Sequence, residues 1–254
     1  MCRLVLNVEI IPDSKDLCIR IRADSDNLIR RVLRQTGKGW TPVRMRPESL
    51  PTKTLVIEDF ECPLGRTVTY QVQADNNPAV FKHTKVETRR VVLSLPHMPA
   101  MSAIIPIFSD YTSTRKMPGA TDLIIGRTDP LVTILPLQKR QGTLTYVFDN
   151  YLDASRVEEI YAQGYPLLLR QPCHEGLDLY HTAESTTPSH EANNGVNLWK
   201  LTINYVEQNI PGGYLVGAVN WDYKALAEKH VDFTDMESSY SDYGNMLMGV
   251  QISG

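Results

Sequence analysis

The feature that most constrains this chain is a run of short alternating segments packed closely through its first hundred residues. Leu4, Leu6, Val8 and Ile10 alternate with Arg3, Val5, Asn7 and Glu9. After the turn PDSKD (12–16), Leu17, Ile19 and Ile21 alternate with Cys18, Arg20 and Arg22. Further runs at 28–34, 43–45, 53–60, 66–73, 80–86 and 89–95 leave room only for hairpins and short crossovers, so the strands are expected to be antiparallel. About seven short strands in about a hundred residues predicts a β-sandwich. Within it, VIEDFECPLGRTVTYQV (56–72) reads as a hairpin with one buried face. Pro63 and Gly65 suit the second and fourth positions of a type I turn, and Val68, Tyr70 and Val72 alternate with Thr67, Thr69 and Gln71.

The pattern breaks at 94–120, where Pro96, Pro99, Pro106 and Pro118 stand in positions that a central strand accepts poorly. This places a domain boundary near residue 100, between an N-terminal domain over 1–100 and a second β domain over 101–220. In the second, DLIIGRTDPLVTIL and GTLTYVF supply new strands, with Leu144, Tyr146 and Phe148 on one face. DASRVEEIYAQGYP (153–166) predicts the one helix, near 154–163. Ser155 and Glu158 have capping-box spacing, Val157, Ile160 and Tyr161 form the apolar stripe, and Gly164 and Pro166 end it. PLLLRQ reads as a strand, the polar stretch 173–196 as mostly loop, and NLWKLTINYVEQ as a long strand with Trp199, Leu201, Ile203 and Tyr205 on one side. Residues 221–254 repeat an aromatic-polar-Asp pattern, FTDM then YSDY, and are expected to form a helical, aromatic-rich extension that packs on a neighbour.

Composition narrows the function. The 254 residues are 42% hydrophobic and 22% charged, as in ordinary globular proteins. A net charge of −3 gives no general basic surface, so nucleic acid is not the expected partner. Cys2, Cys18, Cys62 and Cys173 include no close pair, which argues against a zinc site and a disulfide framework and for a reducing compartment. MCRLVLNVEI lacks a continuous apolar core and no stretch reaches eighteen apolar residues, so neither a signal peptide nor a membrane span is expected.

Catalytic residue types gather only at 173–191, with His174, Glu175, His181, Glu184, His190 and Glu191. The spacings fail the chemistry: His174 and His181 are seven apart and His181 and His190 nine, whereas a helical zinc pair needs four. Cys173 and His174 are adjacent and point apart in extended chain, which does not make a nucleophile and its base. Glu58, Asp59 and Glu61 read as a solvent-facing acidic edge rather than an acid–base pair, and IPGGYLVG (210–217) as a turn and strand. Trp40 and Trp199 are expected as core anchors; carbohydrate stacking is the alternative for an exposed tryptophan, and Trp221 is the one expected to be exposed. No catalytic, cofactor-binding or metal-binding residue is assigned, and an enzyme is not expected. A hydrolase centred on 173–191 is the least favoured alternative.

VIEDFECPLGRTVTYQV resembles the D-Y-E-A-P-L-G-x-x-V-T-Y segment of minor tail proteins of long-tailed phages of actinobacteria. LIRRVLRQTGKGWTPVR, LSLPHMPAMSAIIPI and LIIGRTDPLVTILPLQKRQGTLTYVF resemble, in order, that family's preceding strand pair, its proline-punctuated linker and its G-R-x-D-P-V-V-x…R-x-G-x-L-T block. PLLLRQP, WKLTINYVEQNIP and WDYKALAEKHVDFTDMESSYSDYGNML continue the likeness, which spans most of residues 20 to 250. Phe60 and Cys62 depart from the family's Tyr and Ala, and 173–196 is longer and more polar. The resemblance implies a mainly β fold with a fibronectin-III-like N-terminal β-sandwich and a β-rich domain similar to the ring-forming part of distal tail proteins. It also implies a virion structural component at the tail tip, folded in the host bacterial cytoplasm without cofactors. It would assemble with itself as a sixfold or threefold ring and with tail tube, tape measure and other tip proteins. A host-surface glycan is the alternative contact.

Overall fold

A computed structural model of the chain describes residues 6–37, 39–45, 50–122, 125, 128–133, 135–193 and 196–211. The fold is mainly β, with two large antiparallel sheets, a separate two-stranded ribbon and one α-helix among the described residues. It divides into two compact units, one formed by Met1–Arg89 with Pro96–Met101, the other by Arg90–Leu95 with Ser102–Pro211. The sequence boundary near residue 100 is therefore not a single cut, since 90–95 join the second unit. The expected extension over 221–254 lies outside the described residues, as do Trp221 and residues 212–217.

The first unit is organised by one long strand. β1 (Leu6–Asp13) pairs with the first half of β2 (Cys18–Thr36) from Leu6↔Ser25 to Asp13↔Cys18. On its other side this half pairs with β4 (Thr52–Asp59), from Ile19↔Asp59 to Asp24↔Thr54. The second half of β2 instead pairs with β3 (Gly39–Pro42) and β5 (Thr67–Ala74), and β6 (Val80–Lys85) completes that side by pairing with β5. A three-stranded group and a four-stranded group thus share one bent strand, the way sandwich corners are turned. Ile19, Ile21 and Ala23 are buried along the first half and Ile29 and Val32 along the second. The odd step from 29 to 32 would flip the face, and the register shift between Ile29 and Arg31 restores it. Leu55, Ile57, Val68, Tyr70 and Val72 fill the same core.

Three sequence expectations change here. The runs at 17–22 and 28–34 are halves of a single strand, and the strand expected at 43–45 lies instead at 39–42, as β3, with 43–45 outside any strand. More importantly, VIEDFECPLGRTVTYQV is not a hairpin: β4 and β5 pair with different halves of β2 and not with each other. Residues 60–66 are an arch between the two strand groups. Gly65 sits in it at φ 69, a left-handed conformation that favours glycine, and its N–H donates to the Val86 carbonyl at 2.9 Å.

The second unit holds a seven-stranded sheet. Its order is β8 (Ala103–Ile105), β7 (Val91–Ser94), β13 (Leu167–Arg170), β14 (Leu179–Asn193), β15 (Val196–Glu207), β12 (Gln141–Phe148) and β9 (Ile107–Tyr111). The two edge strands, β8 and β9, are consecutive in the chain with only Pro106 between them. Adjacent Cα atoms are about 3.8 Å apart, so the sheet curls far enough to bring one end of each edge strand together at that proline, with no ladder between the two edges. The proline-rich stretch is therefore more than a linker, because it supplies the two edge strands and puts Pro106 at the break, where no ladder hydrogen bond is needed.

On the inner face lie Leu144, Tyr146, Phe148, Leu167, Leu169, Leu201, Ile203 and Tyr205, all 2% exposed or less. Helix α1 (Tyr151–Ala162) lays Ala154, Val157, Ile160 and Tyr161 into the core. The apolar stripe is as expected, but the cap is not Ser155. Asn150 caps the helix, its side chain accepting from the Asp153 N–H at 2.9 Å. The expected loop at 173–196 is also corrected. Among its described residues only 173–178 lie outside a strand, and β14, 15 residues long, pairs with β15 from His181↔Glu207 to Asn193↔Val196. Backbone pairing holds this strand where side-chain hydrophobicity does not announce it. β13 covers β14 only as far as His181, so Pro188 falls where the outer edge is open.

Candidate functional site

Three kinds of feature compete as a site: buried polar clusters, an exposed aromatic pair and an exposed arm. In the first unit, Arg34 Nη1 donates to both carboxylate oxygens of Asp59, at 2.6 and 2.5 Å, and Tyr70 Oη donates to Asp59 Oδ2 at 2.7 Å. The Glu61 N–H donates to Asp59 Oδ1 at 2.9 Å, and Arg44 clasps the Glu61 carboxylate through Nε and Nη2. Asp59 is 1% exposed and Glu61 7%, so the expected solvent-facing edge is wrong for both; of the three acids only Glu58 faces out, pairing with Arg20 at 2.7 Å. Burial opposes the Arg34 charge, yet the Asp59 carboxylate, with Tyr70 and Glu61, holds its pKa above the usual value. Burial, then the Asp59 charge, pushes the Tyr70 phenol well up, keeping it a donor.

In the second unit, Tyr146 Oη lies 3.0 Å from Tyr161 Oη, which lies 2.8 Å from His181 Nε2, joining β12, α1 and β14. Burial lowers the His181 pKa to about 4, so the ring is neutral near pH 7. Burial raises both tyrosines, so both phenols stay protonated near pH 7. In both clusters the polar atoms named are satisfied by protein partners inside a packed core, an arrangement that fixes strands and helix in register.

The sequence candidates at 173–191 do not converge. Cys173, His174 and Glu175 are exposed in the turn before β14, His181 points into the core, and Glu184, His190 and Glu191 are exposed farther along the strand. Nine residues of strand separate His181 from His190 by about 30 Å. Among the described residues no group of three His, Cys, Asp or Glu side chains is placed to hold a metal ion. Nor is either described tryptophan a core anchor. Trp199 is half-buried between Tyr151 and His190, with ring centroids at 4.7 and 5.0 Å. Trp40 is 42% exposed and sits 5.8 Å from Phe81, itself 51% exposed. Their strand partners, Gln35 and Gln71, place both on one outer face of the first unit.

The third feature is the arm. Between β9 and β12 the chain leaves the seven-stranded sheet and returns, forming a separate two-stranded ribbon, β10 (Ala120–Asp122) with β11 (Leu131–Thr133). Its base is closed by Thr114 N–H to Gln141 O at 2.7 Å, Gln141 N–H to Thr114 O at 2.9 Å and Gln138 N–H to Lys116 O at 2.9 Å. A Cβ on Gly142 would collide with the Thr112 carbonyl, so glycine permits the close approach there. Beside the base, Arg140 holds Glu207 through Nε and Nη2 at 2.8 and 3.0 Å. Along the arm Met117, Ile125, Leu135 and Leu137 are exposed, each by 48% or more. Sequence periodicity marks these residues as strands of the domain. It cannot mark them as a projection, because the alternation of a free ribbon and of a covered strand is the same.

No protein-family model matches the chain, and no curated protein matches it.

Proposed function

We propose that this chain is a structural component of a phage tail tip, assembling through protein–protein contacts between the tail tube and the host-facing end as a ring of its own copies. The likeness to minor tail proteins over residues 20 to 250 supports this, and the arm is the observation that carries it. An isolated two-stranded ribbon is marginal in water. One that also exposes Met117, Ile125, Leu135 and Leu137 is built to be covered by another chain. The buried Arg34–Asp59–Tyr70 and Tyr146–Tyr161–His181 clusters serve as internal fasteners rather than reaction centres. The expected result is that purified virions contain the chain in a fixed number of copies by quantitative mass spectrometry, with ring-shaped density for it at the tail tip. Virions that lack the chain would sink the proposal.

A second reading, a module that binds host-surface carbohydrate, is favoured by one observation. Trp40 and Phe81 form an exposed aromatic pair flanked by Gln35, Thr69 and Gln71, apolar faces beside amide and hydroxyl groups that suit a neutral sugar. On that reading Trp40→Ala lowers glycan-array or calorimetric binding at least tenfold while the circular dichroism spectrum is unchanged. Unaltered binding, or none by the parent chain, removes it.

A further inference from the structure

The arm joins its exposed apolar side chains to an excess of basic residues, in a chain whose net charge is −3. Residues 113–139 carry Arg115, Lys116, Arg127 and Lys139 against Asp122 and Asp129. Arg115, Lys116 and Lys139 are exposed at its base, and the backbone bond from Gln138 to Lys116 brings the two sides together, so the three cations belong to one end. Arg115 and Lys116 form no ion pair among the described residues.

One segment of the chain has the complementary chemistry. Residues 232–247, DFTDMESSYSDYGNML, contain Asp232, Asp235, Glu237 and Asp242 and no lysine or arginine, interleaved with Phe233, Met236, Tyr240, Tyr243, Met246 and Leu247. Aromatic and methionine side chains match the exposed Met117, Ile125, Leu135 and Leu137, while the acids match the cationic base. We infer that the arm of one copy is a docking site for residues 232–247 of a second copy. This rests on the assembly reading above. Each chain carries one arm and one acidic aromatic segment, so the contact can repeat head-to-tail from copy to copy, and where the rotation between copies closes it makes a ring.

The test uses the full chain. Equal amounts of unlabelled and nitrogen-15-labelled protein are mixed and coupled with a carbodiimide, which joins lysine to carboxylate at zero length. Mass spectrometry then reads the joined peptides. The expected products link Lys116 or Lys139 to Asp232, Asp235, Glu237 or Asp242 and include mixed-isotope pairs, which only two different copies can give.

Alongside this, the triple variant Asp232→Lys/Asp235→Lys/Asp242→Lys is expected to weaken self-association about tenfold by sedimentation velocity, the sum of three modest exposed pairs. Adding Arg115→Glu/Lys116→Glu/Lys139→Glu restores it. Because all the altered arm residues are exposed, this rescue separates a lost contact from a lost fold. Same-isotope products alone would mean that the segment docks on its own chain and would overturn the inference. Self-association indifferent to both charge reversals would overturn it too, while leaving the ring reading standing. A chain that is monomeric at every concentration, uncoupled, and absent from virions would overturn both.

Discussion

Asp59→Asn is expected to destabilise the first unit by about 3–5 kcal/mol, more than the loss of any one neutral hydrogen bond in the same core. The argument is electrostatic. Arg34 and Asp59 are both within a packed core, their side chains 7% and 1% exposed, and the carboxylate supplies the charge that lets the guanidinium remain there. An amide of the same size keeps the packing, removes the charge and leaves a buried cation uncompensated. Tyr70→Phe, which removes one neutral donor to the same carboxylate, is expected to cost less, about 1–2 kcal/mol. Arg34→Met with Asp59→Leu is expected to recover most of the loss, since a buried pair replaced as a whole by apolar side chains is often neutral. Hydrogen exchange read by mass spectrometry checks this unit by unit. Protection should fall across 18–36, 52–59 and 67–74 in Asp59→Asn and remain at parent levels across 141–148 and 196–207. Equal protection in both units of the variant would show that the pair is not what holds the first core.

How far the sequence discloses this molecule depends on where each signal is written. Strands such as β5, with Val68, Tyr70 and Val72 buried in alternation, carry their facing in side-chain pattern and are legible. So is α1, whose buried Val157, Ile160 and Tyr161 fall at helical spacing. Pairing is not written there. The arch at 60–66 and a hairpin turn call for the same Pro and Gly, and only the register with β2 separates them. β14 is hidden for the opposite reason. Its side chains are mostly Thr, Ser, Glu and His, and its order comes from a backbone ladder with β15 that leaves no apolar period. Asp59 and Glu61 mislead because a carboxylate in an alternating run reads as solvent-facing. Their partners, Arg34 and Arg44, are 25 and 17 residues away, a separation that no local pattern spans. The arm is legible as strands and glycines and illegible as a projection. Trp40 reads as core because a large aromatic in a small β-domain usually is, whereas its strand lies at an edge.

Acid should loosen the second unit in a window set by His181. The sign follows from the two states. Burial lowers the folded pKa from 6.5 to about 4, so between those values the unfolded chain binds a proton that the folded chain refuses. The stability tied to the neutral ring is therefore complete above about pH 6.5 and is lost as the pH falls toward 4, amounting to about 2–3 kcal/mol at pH 4.5. Carboxylates contribute later. Against the upward push of burial, the hydrogen bonds from Arg140 hold Glu207 below its ordinary 4.5, so its share is lost only from there downward. His97, lowered by burial and by Arg44, acts with the same sign as His181 but in the first unit, so a whole-molecule melt would mix the two. Urea unfolding followed by exchange at 141–148 and 196–207 isolates the second unit. Between pH 7 and 4.5 the parent should lose most of the expected amount, whereas His181→Gln, less stable at pH 7 but without the titrating ring, should show a nearly flat profile. An equal slope in parent and variant would assign the acid sensitivity elsewhere and leave the Tyr146–Tyr161–His181 chain a packing feature only.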